Sequence, residues 1–138
     1  MRIASPLLSR LESFGYAARG IATMLRGEAN ARIHAVAALV AVGAGLGFGI
    51  ERGEWLAIVL AIGVVFMAEG FNTAFEALCD VASPGRHPLV ERAKDVAAGA
   101  VLLAALAALV VALVVFGPRL AALLAPALAP ALGSSGPA

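Results

Sequence analysis

Three long stretches with almost no charge dominate this chain. They are Ile33 to Ile50, Trp55 to Phe75 with Glu69 as its one interruption, and Val96 to Pro118. A helix needs about 20 apolar residues to cross the hydrocarbon core of a bilayer. Backbone N–H and C=O groups in lipid must be satisfied within the segment, so each stretch is expected to be a helix. Composition points the same way. Of the 138 residues, 62% are apolar and 14% charged, against about 25% charged in a soluble domain. So few charges exclude a soluble globular enzyme and a disordered chain. A formal net charge of +1 supplies no field for binding nucleic acid. Cys79 is the only cysteine, which excludes an intramolecular disulfide and a cysteine-built zinc site. No secretory signal is expected before Glu28, because charges are spread through that stretch.

The expected fold is an all-α membrane protein in three parts. Residues 1–32 form an N-terminal interfacial segment. Residues 33–116 hold the spans 33–50, 55–75 and 96–116. Residues 117–138 form an Ala/Pro-rich tail, where Pro126, Pro130 and Pro137 are expected to break any fourth span into a short helix or loose chain. Arg2, Arg10, Arg19, Arg26 and Arg32 precede the first span, and Arg86, Arg92 and Lys94 follow the second. Only Arg52 and Arg119 lie on the other side. That asymmetry places the N-terminus and the Glu76–Asp95 loop in the cytoplasm. Within Pro6 to Arg26, Leu7, Leu8, Leu11, Phe14, Ala18, Ile21 and Leu25 recur at helical spacing. This predicts an amphipathic surface helix whose arginines reach lipid phosphates. Gly43, Gly45, Gly47 and Gly49 form two overlapping GxxxG pairs, a weak signal for close helix approach or for a flexible helix end.

Glu69 is the most informative residue, because a carboxylate inside an apolar run costs several kcal/mol. Asn72, Glu76 and Asp80 follow it at helical spacing. At about 100° per residue the four fall within an arc of roughly 80°. The face opposite them is expected to carry Val65, Phe71, Ala74 and Leu78. Oxygen ligands in a row suit a hard cation such as Mg²⁺, which in turn suits phosphate. Glu69 has the chemistry of a general base toward a lipid hydroxyl. Glu28, at the end of the surface helix, could complete a cation site with Glu76. Lys94 and Asp95, at the mouth of the third span, could meet a phosphate and cap a helix. His34 and His87 have no metal-type spacing and read as interface residues. No GxxxxGK[ST], kinase-type GxGxxG or GxSxG motif is present. On residues alone, an ion-coupled transporter using Glu69 and a non-catalytic assembly subunit remain open beside a lipid-phosphorylating enzyme.

The stretch Glu69-Gly-Phe-Asn72-Thr-Ala-Phe-Glu76-Ala-Leu-Cys-Asp80 resembles the ExxNTAxExxxD signature of bacterial integral-membrane lipid kinases. His87-Pro-Leu, with Ala93-Lys94-Asp95-Val-Ala-Ala-Gly, resembles the second motif of the same family. That family comprises prokaryotic diacylglycerol kinase and its undecaprenol kinase relatives, and the resemblance runs from about Arg10 to Phe116. It implies an inner-membrane homotrimer that transfers the γ-phosphate of ATP, with Mg²⁺, to the hydroxyl of diacylglycerol, giving phosphatidic acid. Undecaprenol is the alternative acceptor by the same chemistry. Arg32-Ile33-His34 and His87-Pro88-Leu89 look more like the undecaprenol branch. The resemblance implies Glu69 as the catalytic base and Glu28 and Glu76 as metal ligands. Asn72, Lys94, Asp95, Tyr16, Arg10, Gly85, Arg86 and His87 would lie about the nucleotide, and Arg32 would line the lipid entry. The arginine of this pattern, Arg10, stands one residue nearer Tyr16 than in the best-known diacylglycerol kinases. No obligate partner protein is implied beyond copies of the chain itself.

Overall fold

The computed structural model describes residues 6–132, with side chains described for Arg10 and for residues 12–126. All regular structure among these residues is helical: α1 (Pro6–Gly27), α2 (Ala29–Phe48), α3 (Arg52–Ala82) and α4 (Pro88–Leu132). The last three are long and apolar enough to cross a membrane, and the chain is a multi-pass membrane protein. Most of their large apolar side chains point outward, among them Leu39, Val40, Leu60, Phe71, Leu103 and Val114. A bilayer solvates such surfaces without cost, so only one stripe of each helix needs a protein neighbour.

α3 packs mainly along α4 and, to a lesser degree, along α2, while α1 touches α2 and α3. The apolar core sits at the α2–α3 hairpin. Ile50, Ile58, Val115 and Phe116 are buried there, with Phe48, Trp55 and Ile62 against them. Phe48 and Phe116 form a tilted pair with ring centroids 6.3 Å apart. Gly49 ends α2 in the left-handed region, φ 61°, and its N–H bonds back to the Gly45 carbonyl; a side chain is strained at such a φ, and glycine is not. Gly45 lies under Trp55, where a Cβ would come within 2.8 Å of ring atom Cη2. Gly43 and Gly47 have nothing within 4 Å of where a Cβ would stand. The glycine cluster therefore serves one close approach and one helix end.

Glu51 opens α3 through a reciprocal capping box with Glu54. Glu54 also takes a two-pronged bond from Arg119, with Nη1–Oε1 at 2.8 Å and Nη2–Oε2 at 2.7 Å. At 1.5 Å per residue, Glu54 and Glu69 lie about 22 Å apart along α3.

Three expectations need correction. α4 does not end near Phe116; it is one helix of 45 residues that passes Pro118 and Pro126. Proline withholds one N–H but does not end a helix whose neighbours re-satisfy the backbone, as membrane helices tolerate. Arg119, the next residue, donates from Nη1 to the Val115 carbonyl at 2.6 Å, whereas the carbonyl left without its ladder partner by Pro118 is that of Val114. Second, the helices outrun the uncharged stretches, since α3 extends to Ala82 and α4 begins at Pro88. Charged side chains extend a helix past the apolar run without breaking its backbone ladder. Third, Val65 is not opposite Glu69. It stands one helical turn earlier on the same face and is buried, whereas Phe71 and Leu78 are exposed as expected. Leu7, Leu8 and Leu11 of the expected α1 stripe lie outside the residues whose side chains are described. Phe14 and Ile21 of that stripe face away from the bundle, and Met24 is the α1 side chain that is buried.

Candidate active site

Glu69 is 2% exposed, the only buried charged side chain among the described residues. Three segments close over it. Met24 at the end of α1 lies against Gly70, its sulfur 3.8 Å from where a Cβ would stand. The chain then turns at Glu28 into α2, whose first turn presents Ala31, fully buried, with a backbone hydrogen bond to the Glu69 carboxylate. The ionisable neighbours of that carboxylate are His34, Glu28 and Glu76. Oε2 of Glu69 is buried and has no hydrogen-bond partner, and neither does Oδ1 of Asn72. Each such acceptor costs about 1–3 kcal/mol. Neither residue serves the bundle by holding it together at those atoms.

The rest of the stripe is organised around its acids. Nδ2 of Asn72 donates to Oε1 of Glu76 at 3.0 Å, which fixes the amide and turns its carbonyl oxygen the other way. Thr73 Oγ1 donates to the Glu69 carbonyl at 2.9 Å. Glu28 occupies the N-cap position of α2 with φ −98° and ψ 125°, yet its carboxylate makes no cap bond. An acid at a helix N-cap ordinarily accepts a backbone N–H; this one does not. Lys94, at the start of α4, reaches back to Asp80 Oδ1 at 2.6 Å. Glu76 is also among its charged neighbours.

The structure therefore brings Glu28, Glu69, Asn72, Glu76 and Lys94 to one place. The other expected residues are exposed. Tyr16 is exposed on α1, with the Arg19 guanidinium 4.6 Å from its ring centre. Arg10 and Asp95 are exposed. Gly85 and Arg86 are exposed in the turn between α3 and α4. His87 caps α4: its Nδ1 accepts the Leu89 N–H at 3.2 Å, and its carbonyl accepts the Glu91 N–H at 3.1 Å. Arg32 fastens the α1–α2 corner, where Nη1 donates to the Arg26 carbonyl at 3.0 Å. Sequence reading missed His34 as a neighbour of Glu69. A single histidine carries no periodic signal, and only the packing of α2 on α3 reveals it.

Among the described residues, no three His, Cys, Asp or Glu side chains converge as a complete metal-binding group. Glu28 and Glu76 still fit a magnesium ion, which takes one or two carboxylates and fills its remaining positions with water and phosphate oxygens. The orphaned Oδ1 of Asn72 is a hard oxygen donor of the kind such a site uses.

The described residues thus form an all-helical, multi-pass membrane protein with a buried acid among further acids, an amide and a lysine. The family model for prokaryotic diacylglycerol kinase matches residues 15–116. Undecaprenol kinase of Bacillus subtilis is 41% identical over 95 residues, covering 69% of this chain and 77% of the relative. Diacylglycerol kinase of Synechocystis is 36% identical over 70% of this chain and 56% of its own length. Diacylglycerol kinase of Escherichia coli K12 is 29% identical over 70% of this chain and 79% of its own length. The chain belongs to the prokaryotic diacylglycerol kinase family and is a membrane lipid kinase, transferring phosphate to an alcohol.

Proposed function

We propose that the chain transfers the γ-phosphate of ATP to the hydroxyl of a membrane lipid at the Glu69 site, with Mg²⁺. The observation that carries this is the buried, unpartnered Oε2 of Glu69 beside Glu28, Asn72 and Glu76. A protein tolerates such a group where it works. Glu69 accepts the proton of the lipid hydroxyl as its oxygen bonds to the γ-phosphorus. The bond from that phosphorus to the β,γ-bridging oxygen breaks, and ADP leaves. Glu28 and Glu76 would hold magnesium, which neutralises phosphate charge when bound. Asn72 orients Glu76. Lys94 meets a phosphate oxygen by exchanging its contact with Asp80. Such transfer depends chiefly on positioning and charge neutralisation, so a short list of groups suffices. Tyr16, Arg10, Gly85, Arg86, His87 and Asp95 would close about the nucleotide, and Arg32 would face the lipid entry.

The same reading sets the protein in the inner membrane with its N-terminus cytoplasmic. α1 would lie in the interface, with Phe14 and Ile21, which face away from the bundle, turned into the lipid. Copies of the chain would assemble as a homotrimer. Two acceptors fit. Diacylglycerol would give phosphatidic acid, and undecaprenol would give its phosphate. The 41% identity to a relative named undecaprenol kinase, against 36% and 29% to those named diacylglycerol kinase, favours undecaprenol. The test is purified protein in mixed micelles with Mg-ATP labelled at the γ-position and each lipid in parallel. Label is expected in the lipid fraction. No label in either lipid would overturn the proposal, and the ratio of the two rates assigns the acceptor.

A further inference from the structure

His34 is the one ionisable neighbour of Glu69 that is not an acid. It is half-buried on the first turns of α2, one turn beyond fully buried Ala31. It forms the polar end of an otherwise apolar cavity of about 280 Å³ between α2, α3 and α4, where Val65 and Phe66 stand beside it. Val65, which lines the same cavity as His34, is one helical turn from Glu69 on the same face of α3. The ionisable groups that act electrostatically on Glu69 are Glu28 at the α1–α2 corner, His34 on α2 and Glu76 on its own helix. The nearby lysine of α4, Lys94, is engaged with Asp80.

We infer that His34 is a positioning residue for Glu69, its ring N–H donating to the unpartnered Oε2 and fixing the plane of the carboxylate. This rests on the reading of Glu69 as the base. A carboxylate offers about four lone-pair sites. The Ala31 amide and the His34 ring take two, which leaves others directed at the lipid hydroxyl. The arrangement is a base oriented by a further group, the general logic of activated catalytic pairs. Hydrogen bonds of this kind are commonly long in the free enzyme and close when substrate is bound. The imidazole touches neither the lipid nor the nucleotide in this role and acts through the carboxylate alone.

The test is a double-mutant cycle on the full chain in lipid-containing micelles, with kcat and KM determined for Mg-ATP and for lipid. His34→Ala is expected to lower kcat about 10- to 100-fold, the range typical when an orienting partner is lost, with KM for Mg-ATP within about twofold. His34→Gln keeps an N–H donor and is expected to recover most of kcat. In a Glu69→Gln background, His34→Ala is expected to change the residual rate less than about twofold, because coupled residues are not additive. Wild-type kcat in His34→Ala, or an equal loss in both backgrounds, would overturn the inference. So would loss in His34→Gln matching that in His34→Ala while both variants melt like the parent. Full activity of Glu69→Gln alone would instead overturn the assignment of the base, a separate failure.

Discussion

The two ends of α3 treat carboxylates in opposite ways. At the hairpin end Glu54 is saturated: it accepts the Glu51 N–H at 2.8 Å and both prongs of the Arg119 guanidinium. At the other end Glu69 is more deeply buried, yet one of its oxygens has no partner. The apolar core, the aromatic pair and the tight Gly45–Trp55 contact all gather at the hairpin. A groove of about 650 Å³ between α1 and α3 runs past Gly70 and Thr73, on the helix beside Glu69. One helix thus carries an anchoring end and a proposed working end. Satisfied charges hold elements in place, whereas the unsatisfied one is, on the proposed function, the group that does chemistry.

The contrast predicts that changes at the two ends separate turnover from stability. The largest effect belongs to Glu69→Gln, which is expected to lower lipid phosphorylation by about 10²- to 10⁴-fold, the range for losing a general base. Its thermal midpoint in detergent should stay at or above that of the parent, since a buried carboxylate is replaced by a neutral amide. Glu76→Gln comes next, raising the KM for Mg-ATP about 10- to 100-fold, in the range for loss of a metal-site group. A magnesium titration checks it, and an unchanged metal dependence would remove Glu76 from the ligand set. At the other end, Gly45→Ala drives a methyl group into Trp55 and should destabilise by about 1–3 kcal/mol. Denaturant unfolding measures this loss, with kcat per folded molecule unchanged. Smallest is Arg119→Ala, which should lower the thermal midpoint by a few degrees, as for a well-formed but partly solvated ion pair. A turnover loss in Arg119→Ala larger than its loss of folded protein would erase the distinction between the ends.

Much of this was legible in the chain because lipid simplifies the code. Long uncharged runs announced α2, α3 and α4, and a single acid within such a run drew attention to Glu69. The spacing of Asn72 and Glu76 placed them on its face. Pairings between distant segments were not legible. Glu54 and Arg119 are 65 residues apart, and nothing in either neighbourhood specifies the other. The same holds for Glu69 and His34. The prolines of α4 misled because their effect depends on neighbouring helices and side chains that satisfy the backbone. Val65 was misplaced although spacing alone puts it on the Glu69 face, four residues and about 400° before it. The contacts expected of Tyr16, Arg86 and Asp95 rest on resemblance, since exposed residues leave no packing trace.

The most direct measurement is a single-turnover experiment on Glu69→Gln, with γ-labelled Mg-ATP bound and lipid acceptor present. Nucleotide should bind with parental affinity while label stays in ATP, because the acceptor hydroxyl keeps its proton. Label passing into lipid at the parental rate would contradict the assignment of the working end and leave the buried acid without its proposed task.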